Sequence, residues 1–180
     1  PASVLITWTF NDGNAGAQGS GGALTATGNT TVNITAVNDA PVVDLNGVGA
    51  GNNVTTAFTE QTPVLIAPVG TLTDVDSANL SSLTLTLTAR PDGNAVESLS
   101  LNAGATAAAS GAGLTVTYTA ATGVLSITGS ATKAVYQTIL QGVLYNDTSE
   151  SPTTSTRSIT VVANDGALPS ATQTATITVT

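Results

Sequence analysis

Hydrophobic and polar residues alternate with a period of two along most of the chain. The clearest run is Leu83-Thr84-Leu85-Thr86-Leu87-Thr88, an extended strand with three leucines on one face and three threonines on the other. Residues 4–10 and 31–37 read as strands. Asn11-Asp12-Gly13 makes a turn after the first, and a loop rich in glycine, alanine and serine runs from there to about Gly28. Further extended segments are predicted at 42–45, 54–59, 64–67, 71–73, 114–119, 124–128, 144–145, 159–163 and 175–180. Turn signals separate them, among them Pro91-Asp92-Gly93-Asn94, Ala120-Ala121-Thr122-Gly123 and Asn164-Asp165-Gly166. One segment breaks the period. After Ser130, read as an N-cap, Val135, Ile139, Leu140 and Val143 fall on one helical face. Short strands between turns with a single helical segment predict an all-β fold, an antiparallel β-sandwich of immunoglobulin type with one short helix.

The pattern repeats. A strand, the turn Asn11-Asp12-Gly13 and a second strand recur as a strand, Asn164-Asp165-Gly166 and the final strand, so that Gly13 matches Gly166 and Val37 matches Thr180. The period is roughly 143 residues, and repetition on that scale marks a tandem array. The chain therefore reads as the C-terminal strands and linker of one repeat, residues 1–40, followed by a complete repeat, residues 41–180. Pro1 stands where an initiator Met would, which fits a piece of a longer polypeptide. Pro41 has no N–H to give a sheet, so the strand before it should end within Asn38-Asp39-Ala40. A lone hairpin at 1–40 is marginal in water. It would expose Leu5, Trp8 or Phe10, Val32 and Ile34, and an intermolecular contact is expected to cover them.

Composition narrows the chemistry. The chain has no Cys, His or Met, which removes disulfides, thiolate and imidazole catalysis, and the usual zinc ligands. One Trp, three Tyr and two Phe leave few platforms for sugar rings, so a glycosidase built on paired carboxylates is disfavoured too. No enzymatic activity is expected. Eleven acids against three bases give a net charge of −8, which excludes a basic nucleic-acid footprint and disfavours anionic membranes. No apolar run is long enough to span a bilayer. A chain rich in Thr, Ser, Gly, Ala and Asn and poor in Lys suits an extracellular protein of a bacterial surface. Without disulfides such a chain needs another staple, and a hard cation is the natural one.

Acidic residues are grouped rather than scattered: Glu60 after a strand, Asp74-Val75-Asp76, Asn146-Asp147 with Glu150, and Asn164-Asp165-Gly166. Asp is a default turn residue, but calcium takes six to eight oxygens from carboxylates, Asn amides and carbonyls. Together with Phe58-Thr59-Glu60, Gly70-Thr71-Leu72-Thr73-Asp74-Val75-Asp76, Ala163-Asn164-Asp165-Gly166, the junction Val37-Asn38-Asp39-Ala40-Pro41, and Tyr145 to Pro152 with Arg157, these groups resemble the cadherin repeat. The likeness is to the cadherin-like extender modules of giant bacterial repeat-containing (RTX-type) adhesins. It covers 41–180 as a module and 1–40 as the end of its predecessor. The resemblance implies a cadherin-like sandwich whose partners are neighbouring repeats of the same polypeptide, with calcium stiffening each junction. Asn38, Asp39, Asp74, Asp76 and Asp165 would gather at the N-terminal end of the full module, with Asp74, Asp76 and Asp165 converging on one ion. Glu60 and either Asp147 or Glu150 would lie at the other end. Asp44, Asp92 and Glu97 read as turn or surface groups. Two other readings stand beside the extender: a ligand-binding adhesive module, and a filament subunit that self-associates by strand complementation through residues 1–40.

Overall fold

The computed structural model of the chain describes residues 2–13 and 24–180. It divides into two compact units, Pro1–Val37 and Asn38–Thr180, so Asn38, Asp39 and Ala40 belong with the second unit rather than with the tail of the first. Their hydrogen bonds give the reason: the Asn38 amide donates to Asp165, and the Asp39 N–H donates to Asp76.

The first unit is an antiparallel hairpin of β1 (Ser3–Asn11) and β2 (Thr25–Asn33). β2 starts earlier than the alternation predicts, because the full length of β1 supplies backbone partners from Asn33 back to Thr25. Gly28, which reads as loop, lies in the middle of β2 opposite Trp8. A Cβ there would fall 2.1 Å from the indole, so glycine is what lets the ring lie flat across the strand. Residues 14–23 of the expected loop lie outside the described residues.

The second unit opens with β3 (Val42–Asp44), β4 (Val54–Phe58), β5 (Val64–Leu65), β6 (Thr71–Thr73), β7 (Asn79–Leu87) and β8 (Glu97–Leu101). It continues with α1 (Ala103–Gly111), β9 (Thr115–Thr119), β10 (Val124–Thr132), α2 (Lys133–Gln141), β11 (Val143–Asp147), β12 (Arg157–Asn164) and β13 (Gln173–Val179). The main sheet runs β4-β13-β12-β7-β10-β9; β5-β11-β8 form a second sheet, and β3-β6 a short ribbon. Among the described residues all ladders are antiparallel except β13 with β4, a parallel pair the alternation could not foretell. The fold is an all-β sandwich with two short helices, one more than the sequence signals. α1 is an alanine-rich segment whose buried residues are Ala105 and Ala109; without larger apolar side chains it carries little periodic signal. The second helix is capped by Thr132, whose hydroxyl takes the Val135 N–H, rather than by Ser130.

Packing follows the alternation. Leu83, Leu85 and Leu87 on the central strand β7 are fully buried, against Leu125 and Ile127 of β10 and Ile159, Val161 and Ala163 of β12. Tyr136, Ile139 and Leu140 of α2 close the core with Leu99, Val143 and Tyr145, and Phe58 meets Tyr145 edge-on at 5.1 Å. The Tyr136 hydroxyl donates to the Gly129 carbonyl at 2.6 Å. Gly129 has φ +127° where β10 is bulged, a conformation that favours glycine. Burial pushes the Tyr136 phenol up to about 12.

Truncating Leu85 to Ala should cost about 2–5 kcal/mol in denaturant unfolding, whereas Thr84→Ala on the opposite face should cost no more than about 0.5 kcal/mol. Equal losses would mean the two faces are not distinguished by burial.

Candidate functional site

β12 carries Arg157 at its first residue and Asn164 at its last, and over eight residues it spans roughly 23 Å. Its two ends define two poles of the second unit, and acidic side chains collect at both.

At the Asn164 pole the structure brings together Asn38, Asp39, Asp74, Asp76 and Asp165. The Asn38 Nδ2 donates to Asp165 Oδ2 at 2.7 Å and to the Asp39 carbonyl at 3.1 Å. The Asp39 N–H donates to Asp76 Oδ2 at 3.0 Å. Asp74 shapes its own turn: Oδ1 accepts the Asp76 N–H at 3.1 Å and the Ser77 N–H at 2.7 Å. Lys133 at the start of α2 donates to the Asp74 carbonyl at 2.5 Å. Asp165 Oδ1 takes the Ala167 and Leu168 N–H groups. The Asn38 amide first, then those two N–H groups, hold the Asp165 carboxyl below its usual range. Asp74 is 8% exposed, and its Oδ2 is buried with no hydrogen-bond partner. Asp39, Ala40, Val42, Thr73, Asp74 and Val75 line a cavity of about 390 Å³ beside it.

These carboxylates are neighbours but not a closed ligand shell. Among the described residues, the three acids whose oxygens lie within 4.8 Å of one another are Asp92, Glu97 and Asp147, not Asp74, Asp76 and Asp165. Backbone N–H and amide groups occupy several of the oxygens that were expected to converge. Asp165 would have to meet an ion with oxygens that already accept the Asn38 amide and the Ala167 and Leu168 N–H groups.

At the Arg157 pole, Glu60 and Glu150 are both exposed. Gln61 stands between them, its Nε2 donating to Glu150 Oε1 at 2.8 Å. It occupies the left-handed region at φ +62° in a tight turn closed by the Thr62 N–H on the Thr59 carbonyl. Asp147 is turned the other way. On β11 it shares the inward phase of Val143 and Tyr145, and its Oδ2 accepts Arg157 Nη2 at 3.0 Å. Of the two residues left open for this pole, Glu150 therefore faces outward and Asp147 does not.

Asp92 and Glu97 are not the loose turn and surface groups their sequence context indicates. Glu97 is fully buried. Its Oε2 takes Arg157 Nε at 3.1 Å and the Tyr145 hydroxyl at 2.9 Å, and its Oε1 takes the Asp92 N–H at 2.8 Å. Asp92 Oδ2 meets Arg157 Nη2 at 2.5 Å and the Thr153 N–H at 2.9 Å. Arg157 Nη1 donates to the carbonyls of Thr153 and Ser155. The guanidinium thus already fills the place a cation would take among these three acids. A sequence signal for the cluster existed in the alternation: Glu97 is in phase with Leu99, Asp147 with Tyr145, and Arg157 with Ile159, so each falls on an inner face.

Three carboxyls around one guanidinium leave excess negative charge in a dry place. Burial pushes Asp147 up, opposed by the Ser149 N–H and aided by Asp92 and Glu97. Burial also pushes on Asp92, but the Thr153 N–H, the Asp147 carboxyl and Arg157 outweigh it and hold Asp92 below its ordinary value. The Tyr145 phenol is raised, first by burial and then by Glu97. Arg157 is raised as well, since Tyr145 and Glu97 outweigh its burial.

The chain matches no protein-family model, and no curated protein is detectably similar to it. Among the described residues no helix is long and apolar enough to cross a membrane.

Two tests follow from the cluster. Arg157→Met should cost about 3–5 kcal/mol, because it leaves buried carboxylates without their cation, and adding Glu97→Gln and Asp147→Asn should recover much of the loss. In a thermal-midpoint profile against pH, the depressed Asp92 contributes stability above 3.8 that is lost as pH falls through its folded value. The raised Asp147 works in the opposite sense, its contribution being lost as pH rises above 3.8 through its folded value. Asp92→Asn should therefore flatten the acid limb and Asp147→Asn the limb above it. Unchanged limbs in both variants would show that the pair does not titrate with folding.

Proposed function

We propose that this chain is an extender repeat of a large bacterial surface adhesin, with calcium bound where the chain enters the second unit at Asn38. The observation that carries the reading is Asp74 Oδ2, a buried carboxylate oxygen without a donor, on the turn whose Asp76 carboxylate takes the Asp39 N–H and in the wall of a cavity that Asp39 also lines. Every side-chain ligand atom there is oxygen. With no thiolate or imidazole in the chain, that donor set suits a hard cation and not zinc. The carboxylates repel one another when no cation is near, by about 1 kcal/mol per pair at 4 Å in bulk water and about 4 kcal/mol at an effective dielectric of 20. A bound calcium would reverse that sign and tie the Asn38-Asp39 segment to the Asp74-Asp76 turn and to Asp165. The mechanical effect would be to fix the direction in which the chain leaves the sandwich. At the far pole Glu60 and Glu150 offer outward carboxylates of the kind a following junction would use. The role is then to hold distance and orientation between a cell and a distal binding domain, on the outside of the cell.

An extracellular-type affinity near 10⁻⁴ M would stabilise the second unit by roughly 1–2 kcal/mol in millimolar calcium. Calorimetric titration of the full chain should show binding in that range, and the thermal midpoint should rise with calcium and fall back in chelator. Asp74→Ala should lower the midpoint in chelator, through its lost bonds to the Asp76 and Ser77 N–H groups, and in addition abolish the calcium-dependent rise. An equal loss in both conditions would remove the metal.

A further inference from the structure

The hairpin of the first unit carries an apolar face that its own two strands leave open. Val4, Ile6, Trp8 and Phe10 alternate onto one side of β1, Trp8 is 41% and Phe10 67% exposed, and the rings meet edge-on at 4.9 Å. Polar residues (Ser3, Thr7, Thr9, Asn11) and Leu5 take the other side. The Asn-Asp-Gly turns align β1 with β12, so Val4, Ile6, Trp8 and Phe10 stand where β12 has Arg157, Ile159, Val161 and Ala163. Those four residues of β12 are fully buried. What covers them is on view: β12 and β13 are flanked by β7 and β4, and β8 and β11 of the opposing sheet meet the inner face of β12 through Glu97 and Asp147.

Resting on the modular reading above, we propose that the β1–β2 face is the open wall of a second sandwich, closed by a shell from the preceding part of the same polypeptide. That shell has the layout of residues 41–156 but differs in chemistry. It presents an apolar pole, where this one presents Asp92, Glu97 and Asp147, and it leaves room for two aromatic rings.

Charge and volume both forbid the alternative of exchange with this chain's own second unit. A β1 strand placed in the position of β12 would bring Val4 to buried Glu97 and Asp147 and leave them with no cation. It would also force an indole and a phenyl ring into the sites of Val161 and Ala163, which have no exposed surface to yield. Two hairpins meeting face to face fare poorly for a different reason. A two-stranded face about 31 Å long and 10 Å wide would bury on the order of 600–900 Å² in such a pair, short of the roughly 1,200 Å² of stable interfaces. A shell that takes the face and both strand edges at once meets neither limit.

Trp8 is the one tryptophan of the chain, so its emission reports on this face alone. The experiment compares residues 1–180 with the same chain carried in its natural polypeptide, extended upstream by one module length, with Trp8→Phe in each supplying the background. Trp8 should emit as a solvent-exposed indole and quench readily with acrylamide in 1–180. In the extended protein it should shift to the blue and quench severalfold less, with or without chelator. Independence from calcium keeps this outcome separate from failure of the metal reading. Val4→Arg in the extended protein should re-expose Trp8. Equal quenching in the two proteins overturns the proposal. So does protection in 1–180 alone that grows with concentration and doubles the mass, which would make a second copy the occupant. A covered Trp8 in the Val4→Arg variant would show that the upstream pole carries acids, and would overturn the difference in chemistry.

Discussion

One guanidinium sets the terms for a whole end of the second unit. Arg157 reaches Glu97 on β8, Asp147 on β11, Asp92 in the turn after β7, and two carbonyls of the segment leading into β12. It thereby ties strands of both sheets to the loops that close the sandwich. Without a disulfide anywhere in the chain, this cluster is the nearest thing to a staple. A buried ion pair is rarely a net source of stability against an apolar substitute. What it supplies is register: each carboxylate must arrive within hydrogen-bond reach of a fixed fork, and a strand slipped by one residue would send its charge to the solvent face.

The two poles answer one physical problem in different ways. Both crowd carboxylates at the end of a sandwich, where turns need short polar side chains and the sheets leave little room for water. At the Arg157 pole the compensating cation is part of the chain, and the oxygens of Glu97 and Asp147 are spoken for. At the Asn164 pole backbone N–H groups and one amide take four of the eight carboxylate oxygens of Asp39, Asp74, Asp76 and Asp165, and Asp74 Oδ2 is buried without a donor. Lys133 is nearby but donates to the Asp74 carbonyl. That residual valence is why the proposed ion is placed at this end and not among Asp92, Glu97 and Asp147.

The core tolerates the scarcity of aromatic residues because alternation does the work of size. Leu83, Leu85 and Leu87 on β7 meet aliphatic residues from both flanking strands, and α2 fills the remaining depth with Tyr136, Ile139 and Leu140. Among the described residues the first unit consists of the β1–β2 hairpin, and its larger side chains, Trp8 and Phe10, lie open.

Alternation of period two is a local property, so the sequence by itself determined the all-β class, most strand positions, the inward face of β7 and the 114–128 hairpin. The repeat of the Asn-Asp-Gly turn likewise marked Asp165, and Pro41 marked the Asn38-Asp39 segment before it. The tertiary structure alone decided which ends of strands meet. The parallel pairing of β4 with β13 joins segments more than a hundred residues apart, and no local signal encodes it. α1 forms from small residues whose burial depends on α2 lying over them. Asp92 and Glu97 look like turn and surface residues because a charge at a strand end is normally solvated. Their burial follows only once β8, β11 and β12 bring the in-phase Glu97 and Asp147 to Arg157, with Asp92 arriving from the turn after β7. The partnerless oxygen of Asp74 is a fact of the same kind. Whether a carboxylate is satisfied depends on which donors the fold delivers to it, and those donors come from distant parts of the chain.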